Sequence, residues 1–182
     1  MSRRDELLER ATDHVLGHGL IGLTLRPLAA ALGTSDRMLV YHFGSRAGLV
    51  TEVIDAANER SVAALQSLAS APTVRSGVLR LWAAYQRPPL DACERLYTQA
   101  AASGLLGEEP YRSGVRRSNA RWTAALGDYL VRCGARPTRV ERATRLLDSG
   151  LLGFHVDLSI DPPEELSRAV RDLADAVHAL AG

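Results

Sequence analysis

Residues able to contact a nucleic acid are concentrated in a short segment near the N-terminus, "TSDRMLVYHFGSR" at 34–46. Arg37 carries a guanidinium fork that matches the acceptors of guanine, and Met38 offers an apolar contact to a thymine methyl group. Tyr41 and His42 can donate hydrogen bonds to phosphate oxygens. These residue types on one surface predict an interaction with the major groove of DNA. The alternative is an ordinary helix face exposed to solvent.

Two short helices must position these side chains. The first has one apolar face, formed by Leu25, Leu28, Ala29 and Leu32. Thr24 is expected to cap this helix with its hydroxyl, and Pro27 is tolerated because first-turn N–H groups have no partner within a helix. Gly33 predicts the left-handed turn that ends it.

The second helix begins after Ser35, a capping residue type, and is anchored by Leu39 and Phe43. Two short helices joined by about three residues that include glycine are typical of a helix-turn-helix.

The rest of the chain is also expected to be helical. The 182 residues are 46% hydrophobic, enough to bury a sizeable core, and the apolar residues recur at helical spacing. Glycine- and proline-containing breaks divide the chain into about nine helices. We therefore predict an all-α protein in which a three-helix helix-turn-helix domain (1–46) is joined by helix 4 to a helical ligand-binding and dimerisation domain (47–182).

Other classes of protein are disfavoured. The sequence contains no apolar run of about 18 residues and begins with a charged segment, which predicts neither a membrane span nor a signal peptide and favours the cytoplasm. Cys93 and Cys133 lack metal-ligand spacing, so we expect no metal. "GHGLIG" at 17–22 matches a dinucleotide pattern but follows a helix rather than a strand. Because no spacing pairs a nucleophile with a base, we expect neither an enzyme nor a cofactor.

The order LxxxAAALGxSxxxLxYHFxSRxxL, from Leu25 to Leu49, resembles the DNA-binding domain of the TetR family of transcriptional regulators. The resemblance covers about residues 5 to 60, and the remainder is similar to the family only in length and helical character. It implies a homodimer that binds a palindromic double-stranded DNA operator, usually as a repressor, and is released by an unknown small-molecule effector.

The resemblance also implies roles for individual residues. Arg26, Arg37 and Met38 occupy positions that reach base edges in the family. The positions that hold the phosphate backbone are those of Thr24, Ser35, Tyr41, His42 and Arg46. Two departures are present: Val40 stands where the family commonly has tyrosine, and Arg46 replaces a usual lysine. Asp36 is expected either to favour the helix N-terminus or to accept from cytosine, with the N-terminus preferred.

The last two predicted helices carry apolar stripes. In the family these helices form a four-helix dimer interface, which implies that interface for Leu147, Gly150, Leu151, Phe154, Leu166, Val170, Leu173 and Val177. The alternative is that these residues belong to the core of a single chain.

The middle helices are then expected to surround an effector pocket. Its candidate lining residues are aromatic or polar groups on otherwise apolar segments: Trp82, Tyr85, Gln86, Tyr97, Gln99, Arg121, Trp122 and His155. Few charges lie on the apolar stripes, which favours an apolar or aromatic ligand. A competing interpretation is a helical interaction protein whose helix-turn-helix packs against another protein instead of DNA.

Overall fold

The computed structural model describes residues 2–182, except for the side chain of Pro163. Within that range the chain forms nine α-helices and no strand, which confirms the predicted all-α fold. The helices are α1 Arg3–His18, α2 Leu25–Ala31, α3 Asp36–Phe43, α4 Arg46–Ser67, α5 Val74–Tyr85, α6 Leu90–Leu105, α7 Tyr111–Arg132, α8 Val140–Asp157 and α9 Pro163–Ala181. Over the described residues, no helix combines the length and the apolar character needed to cross a bilayer.

The ends of the short helices follow from local chemistry. Gly33, with φ +64°, takes the left-handed conformation predicted for the turn after α2, and Gly44, with φ +76°, follows α3. At the start of α2 the sequence prediction is wrong. Thr24 occupies the N-cap position in an extended conformation, but its hydroxyl makes no capping hydrogen bond. The start of α2 therefore has no side-chain cap from Thr24.

The chain divides into two compact units. Unit 1 contains the residues up to Arg60 together with Arg95–Asn119, and unit 2 contains Ser61–Glu94 together with Ala120–Gly182. Helices α4, α6 and α7 contribute residues to both units. The core of unit 1 is built from side chains that are almost completely buried: Leu7, Ala11, Val15, Leu28, Leu39, Leu49 and Val53. This core fixes α2 and α3 against α1 and the first turns of α4.

Unit 2 has a larger apolar core, and the proposed interface stripe of α8 and α9 lies inside it. Six residues of that stripe are at most 9% exposed within one chain: Leu147, Leu151, Leu166, Val170, Leu173 and Val177. Gly150 receives Leu173 so closely that an added Cβ would lie 2.6 Å from its Cδ2 atom, and Phe154 packs against the same core. These six side chains therefore have little surface left for a second chain, which favours the alternative of a single-chain core for them, whereas Gly150 and Phe154 are only partly buried. The dimer interface stays a prediction.

Candidate nucleic-acid interface

Helix α3 is held by one apolar side. Leu39 is completely buried and Phe43 is 6% exposed, while Leu28 and Ala29 of α2 are buried in the same unit. Leu39 and Phe43 are four residues apart, so they lie on the same side of the helix. The opposite side of α3 is consequently directed away from the unit 1 core.

The outward side of α3 carries residues predicted to contact DNA. Arg37 is exposed, Met38 is 40% exposed and Tyr41 is 78% exposed. Arg26 is exposed on α2. Large apolar and aromatic groups are rarely left exposed together without a partner. The outward face of α3, defined here by Arg37, Met38 and Tyr41, thus combines hydrogen-bond donors with groups that can contact bases.

Side chains at the N-terminus of α3 satisfy its first N–H groups. Ser35 accepts a hydrogen bond through Oγ from the backbone N–H of Met38 at 3.2 Å. Asp36 accepts one through Oδ1 from the N–H of Arg37 at 2.8 Å. A carboxylate here also interacts favourably with the positive end of the helix dipole. Of the two roles considered for Asp36, the geometry matches the one at the helix N-terminus.

Arg46 does not extend freely toward a phosphate. Its Nε donates to the carbonyl oxygen of Leu23 at 2.6 Å, and its Nη2 donates to the hydroxyl of Tyr111 at 3.0 Å. The guanidinium therefore connects the start of α4, the loop after α1 and the start of α7 within unit 1. Two of its five donor hydrogens are thus used within unit 1, and the phosphate contact of Arg46 stays a prediction.

His42 also differs from the expectation. Its side chain is only partly exposed, and its Nε2 atom is buried without a hydrogen-bond partner among the described residues. The ring lies in edge contact with Tyr41, with centroids 5.0 Å apart. In this conformation Nε2 of His42 presents almost no surface to a phosphate, whereas Tyr41 is exposed. The phosphate contact of His42 stays a prediction.

Several supporting residues were missed in the sequence. Arg10 donates from Nη2 to the carbonyl oxygen of Leu32 at 2.6 Å, which secures the end of α2. Arg4 lies over the Phe43 ring, 5.5 Å from its centroid, and pairs with Glu52 at 2.5 Å. The contacts of Arg10 with Leu32 and of Arg4 with Glu52 span 22 and 48 residues along the chain, so no local pattern could have identified them.

The eight residues predicted to line an effector pocket do not all lie together. Four lie together in unit 2: Trp82, Tyr85, Trp122 and His155 are all buried, and Tyr85 contacts both Trp122 and His155. The remaining four do not join this group. Gln86 and Arg121 are exposed, and Tyr97 and Gln99 belong to unit 1.

Gln99 has a structural role instead of lining a pocket. Its Oε1 accepts hydrogen bonds from the backbone N–H groups of Leu20, at 2.7 Å, and Ile21, at 3.1 Å. This amide oxygen fixes the loop between α1 and α2. The pocket prediction for Gln99 is corrected, since the carbonyl is already occupied by two donors of the protein.

Known proteins resemble this chain in three-dimensional structure only. No family model and no curated protein sequence matches the chain. Among solved structures, a putative TetR-family transcriptional regulator from Rhodococcus sp. is 20% identical with a TM-score of 0.75, over 99% of this chain and 98% of that one.

Two further solved structures contain a bound partner. A putative transcriptional regulator from Saccharomonospora viridis in complex with choline is 20% identical with a TM-score of 0.67, over 96% of this chain and 94% of that one. BioQ with its double-stranded DNA operator is 21% identical with a TM-score of 0.60, over 98% and 99%. These likenesses extend over nearly the whole length of each chain. The fold of this chain is therefore the fold of the TetR-family transcriptional regulators.

Proposed function

We propose that the protein is a DNA-binding transcriptional regulator. The observation that carries this proposal is the outward face of α3, where Arg37, Met38 and Tyr41 are exposed on a helix anchored by Leu39 and Phe43. A helix presented in this way fits the major groove. The solved structure of BioQ with its DNA operator supports the idea that a regulator of this fold binds duplex DNA.

Within this function the exposed residues divide by the part of DNA that they contact. Arg26, Arg37 and Met38 contact base edges, while Thr24 and Tyr41 contact phosphates. The Ser35 oxygen already accepts from the helix N-terminus, which leaves its hydroxyl hydrogen for a phosphate. Residues 1–46 act as the DNA-binding domain and 47–182 as the ligand-binding and dimerisation domain. Nothing in this function requires catalysis or a cofactor.

A single recognition helix makes few contacts, so we propose that the protein binds a palindromic operator as a homodimer. The dimer surface is the outer side of α8, where Leu146 and Val156 remain 37% and 41% exposed. Gly153, also exposed, would allow close approach because nothing lies within 4 Å of an added Cβ. Bound over a promoter, such a dimer represses transcription by occupying the site of the polymerase.

A small-molecule effector would release the operator. The choline complex supports the idea that a regulator of this fold takes a small organic molecule. Coupling between effector and operator of about 1–3 kcal/mol changes operator affinity by about 5- to 150-fold.

Selection of bound duplexes from a random DNA pool, followed by sequencing, tests the function. We expect a palindrome whose half-sites are about one helical turn apart. The Arg37→Ala variant should lose base preference at one or two positions of each half-site. Failure to enrich any sequence, with protein that is folded and has been refolded to remove bound ligand, would favour a protein partner for the helix-turn-helix and contradict the proposal.

A further inference from the structure

Helix α1 carries two histidines near its C-terminal end, His14 and His18. They are four residues apart, so both side chains lie on the same side of the helix. Their imidazole rings are stacked, with centroids 4.1 Å apart and ring planes inclined by 13°. His18 is exposed to solvent and His14 is half-buried. Two imidazoles are therefore held together at one accessible place, called here the histidine pair.

The two ring nitrogens of His18 have different roles. Nδ1 lies 2.8 Å from the backbone carbonyl oxygen of His14, which can only accept a hydrogen bond. Nδ1 of His18 therefore carries a proton and donates it to this bond, and in the neutral ring the lone pair is left on Nε2. Histidines that bind metals usually have this arrangement, because the bond from one nitrogen orients the other toward the ion. The Nε2 atom of His18 is thus suited to act as a metal ligand.

The stacked ring of His14 supplies a second ligand. Bonds of about 2.0–2.1 Å between Zn²⁺ and imidazole nitrogens bring two ligand nitrogens to about 3 Å from each other. Rings whose centroids are 4.1 Å apart are close to that separation, so small rotations of the side chains would let one ion contact both. Two histidines at this spacing on one helix also hold the zinc ion in a motif of metalloproteases.

The position of the histidine pair favours a cation and leaves room for water. His18 is the last residue of α1, and the carbonyl groups at the end of a helix carry partial negative charge. Asp13, beside His14, already pairs with Arg60 at 2.6 Å. Among the described residues, no three histidine, cysteine or acidic side chains are grouped so that they could hold an ion. The pair would therefore supply two ligands and water the others.

Imidazole nitrogen determines which metal ions fit. It suits Ni²⁺, Cu²⁺ and Zn²⁺, and the affinity of nitrogen ligands is highest for Cu²⁺ in this series. Mg²⁺ prefers oxygen ligands instead. The spacing of the cysteines predicted no metal, whereas the histidine pair is a separate set of ligands. Its ring stacking and the bond from Nδ1 are visible only in the structure.

We propose that the histidine pair binds a divalent transition-metal ion, and that it binds Cu²⁺ more tightly than Zn²⁺. The ion connects successive turns of α1 and stabilises the folded chain, because the unfolded chain does not hold the two rings together. Helix α1 contributes Leu7, Ala11 and Val15 to the core of unit 1, so the stabilised helix supports the unit that presents α3. Binding of the ion does not depend on DNA binding.

Calorimetric titration of the full chain with CuCl₂ and with ZnCl₂ tests the site. We expect one ion per chain, and we expect His18→Gln to bind it at least about tenfold more weakly, since one of two ligands is lost. The electron paramagnetic resonance spectrum of the Cu²⁺ complex should show coordination by two imidazole nitrogens. MgCl₂ should give no saturable binding. Equal Cu²⁺ affinity of the wild-type chain and His18→Gln would overturn the proposal.

His178→Gln is the matched control, because His178 is also an exposed histidine in the last turn of a helix, α9. We expect this variant to keep the wild-type affinity for both ions. Saturating Zn²⁺ should raise the unfolding temperature of the wild-type chain and of His178→Gln, but not that of His18→Gln. His18→Gln should fold, since the side chain that it changes is exposed. An equal rise in all three chains would contradict binding at the histidine pair.

Discussion

Arginine residues of unit 1 serve two purposes, according to the acceptors within their reach. Arg26 and Arg37 are exposed on α2 and α3, whereas Arg10 and Arg46 donate to the carbonyl oxygens of Leu32 and Leu23. A guanidinium has five donors in a fixed plane, which suits it equally to phosphate, guanine or a backbone carbonyl. The residue type alone therefore does not decide between DNA contact and internal support.

Substitutions can distinguish the proposed DNA contact from internal support. Arg37→Ala should weaken operator binding by about 1–3 kcal/mol without lowering the free energy of unfolding, since the side chain is exposed and its proposed contact is with DNA. Arg46→Ala should lower the free energy of unfolding by about 1–3 kcal/mol, because it removes the bonds to Leu23 and Tyr111. Denaturant unfolding and operator titration over a range of salt concentrations measure both quantities.

An unchanged unfolding free energy for Arg46→Ala would contradict the internal role. If the salt slope of operator binding also fell by roughly one unit, Arg46 would be a phosphate ligand after all.

At the scale of elements, the starts of α2 and α3 are stabilised differently. Ser35 caps α3 through the N–H of Met38, while Thr24 makes no capping bond to α2. Both residues are of capping type and both have extended backbone conformations. The two positions differ in whether the side-chain hydroxyl reaches a free N–H group of the helix. Substitutions at Thr24 and Ser35 can therefore be compared directly.

Ser35→Ala should destabilise the protein by about 1 kcal/mol, because an N–H group at the start of α3 loses its acceptor. Thr24→Ala should change the unfolding free energy by less than about 0.5 kcal/mol, since no capping bond is lost. Thermal or denaturant unfolding of the two variants provides the comparison. Equal destabilisation by both would indicate that the Thr24 hydroxyl caps α2 in solution.

At the scale of the whole molecule, α8 has two sides with different roles. The inner side carries Leu147, which is completely buried in the unit 2 core. The outer side carries Leu146 and Val156, which remain partly exposed. Inner residues stabilise the fold of one chain, and outer residues are the surface available to a second chain in the proposed dimer.

Neighbouring residues of α8 test this distinction. Leu146→Glu should shift the protein from dimer to monomer and reduce operator affinity, with little effect on the folding of one chain, because a charge is placed on the proposed interface. Leu147→Ala should instead lower the free energy of unfolding by about 2–5 kcal/mol through loss of core packing. Analytical ultracentrifugation and denaturant unfolding distinguish the two results. A Leu146→Glu variant that remains dimeric would place the interface elsewhere.

The sequence by itself determined the helical class and the helix-turn-helix, because both depend on local spacing. Leu39 and Phe43, Gly33 and the capping Ser35 act within a few residues of one another, so their periodicity and turn chemistry are readable in order. The exposure of Arg37 and Tyr41 followed from the same periodicity.

Tertiary structure decided which side of each later helix faces inward. The stripe of α8 and α9 is apolar in either a core or an interface, and only the burial of residues such as Leu147 and Val177 within one chain places them in its core. The bonds of Arg46 and Gln99 join residues far apart along the chain. The periodicity of hydrophobic residues indicates that a helix face is buried, but it does not identify the residues that cover that face. Polar partners that are distant along the chain produce no local sequence pattern.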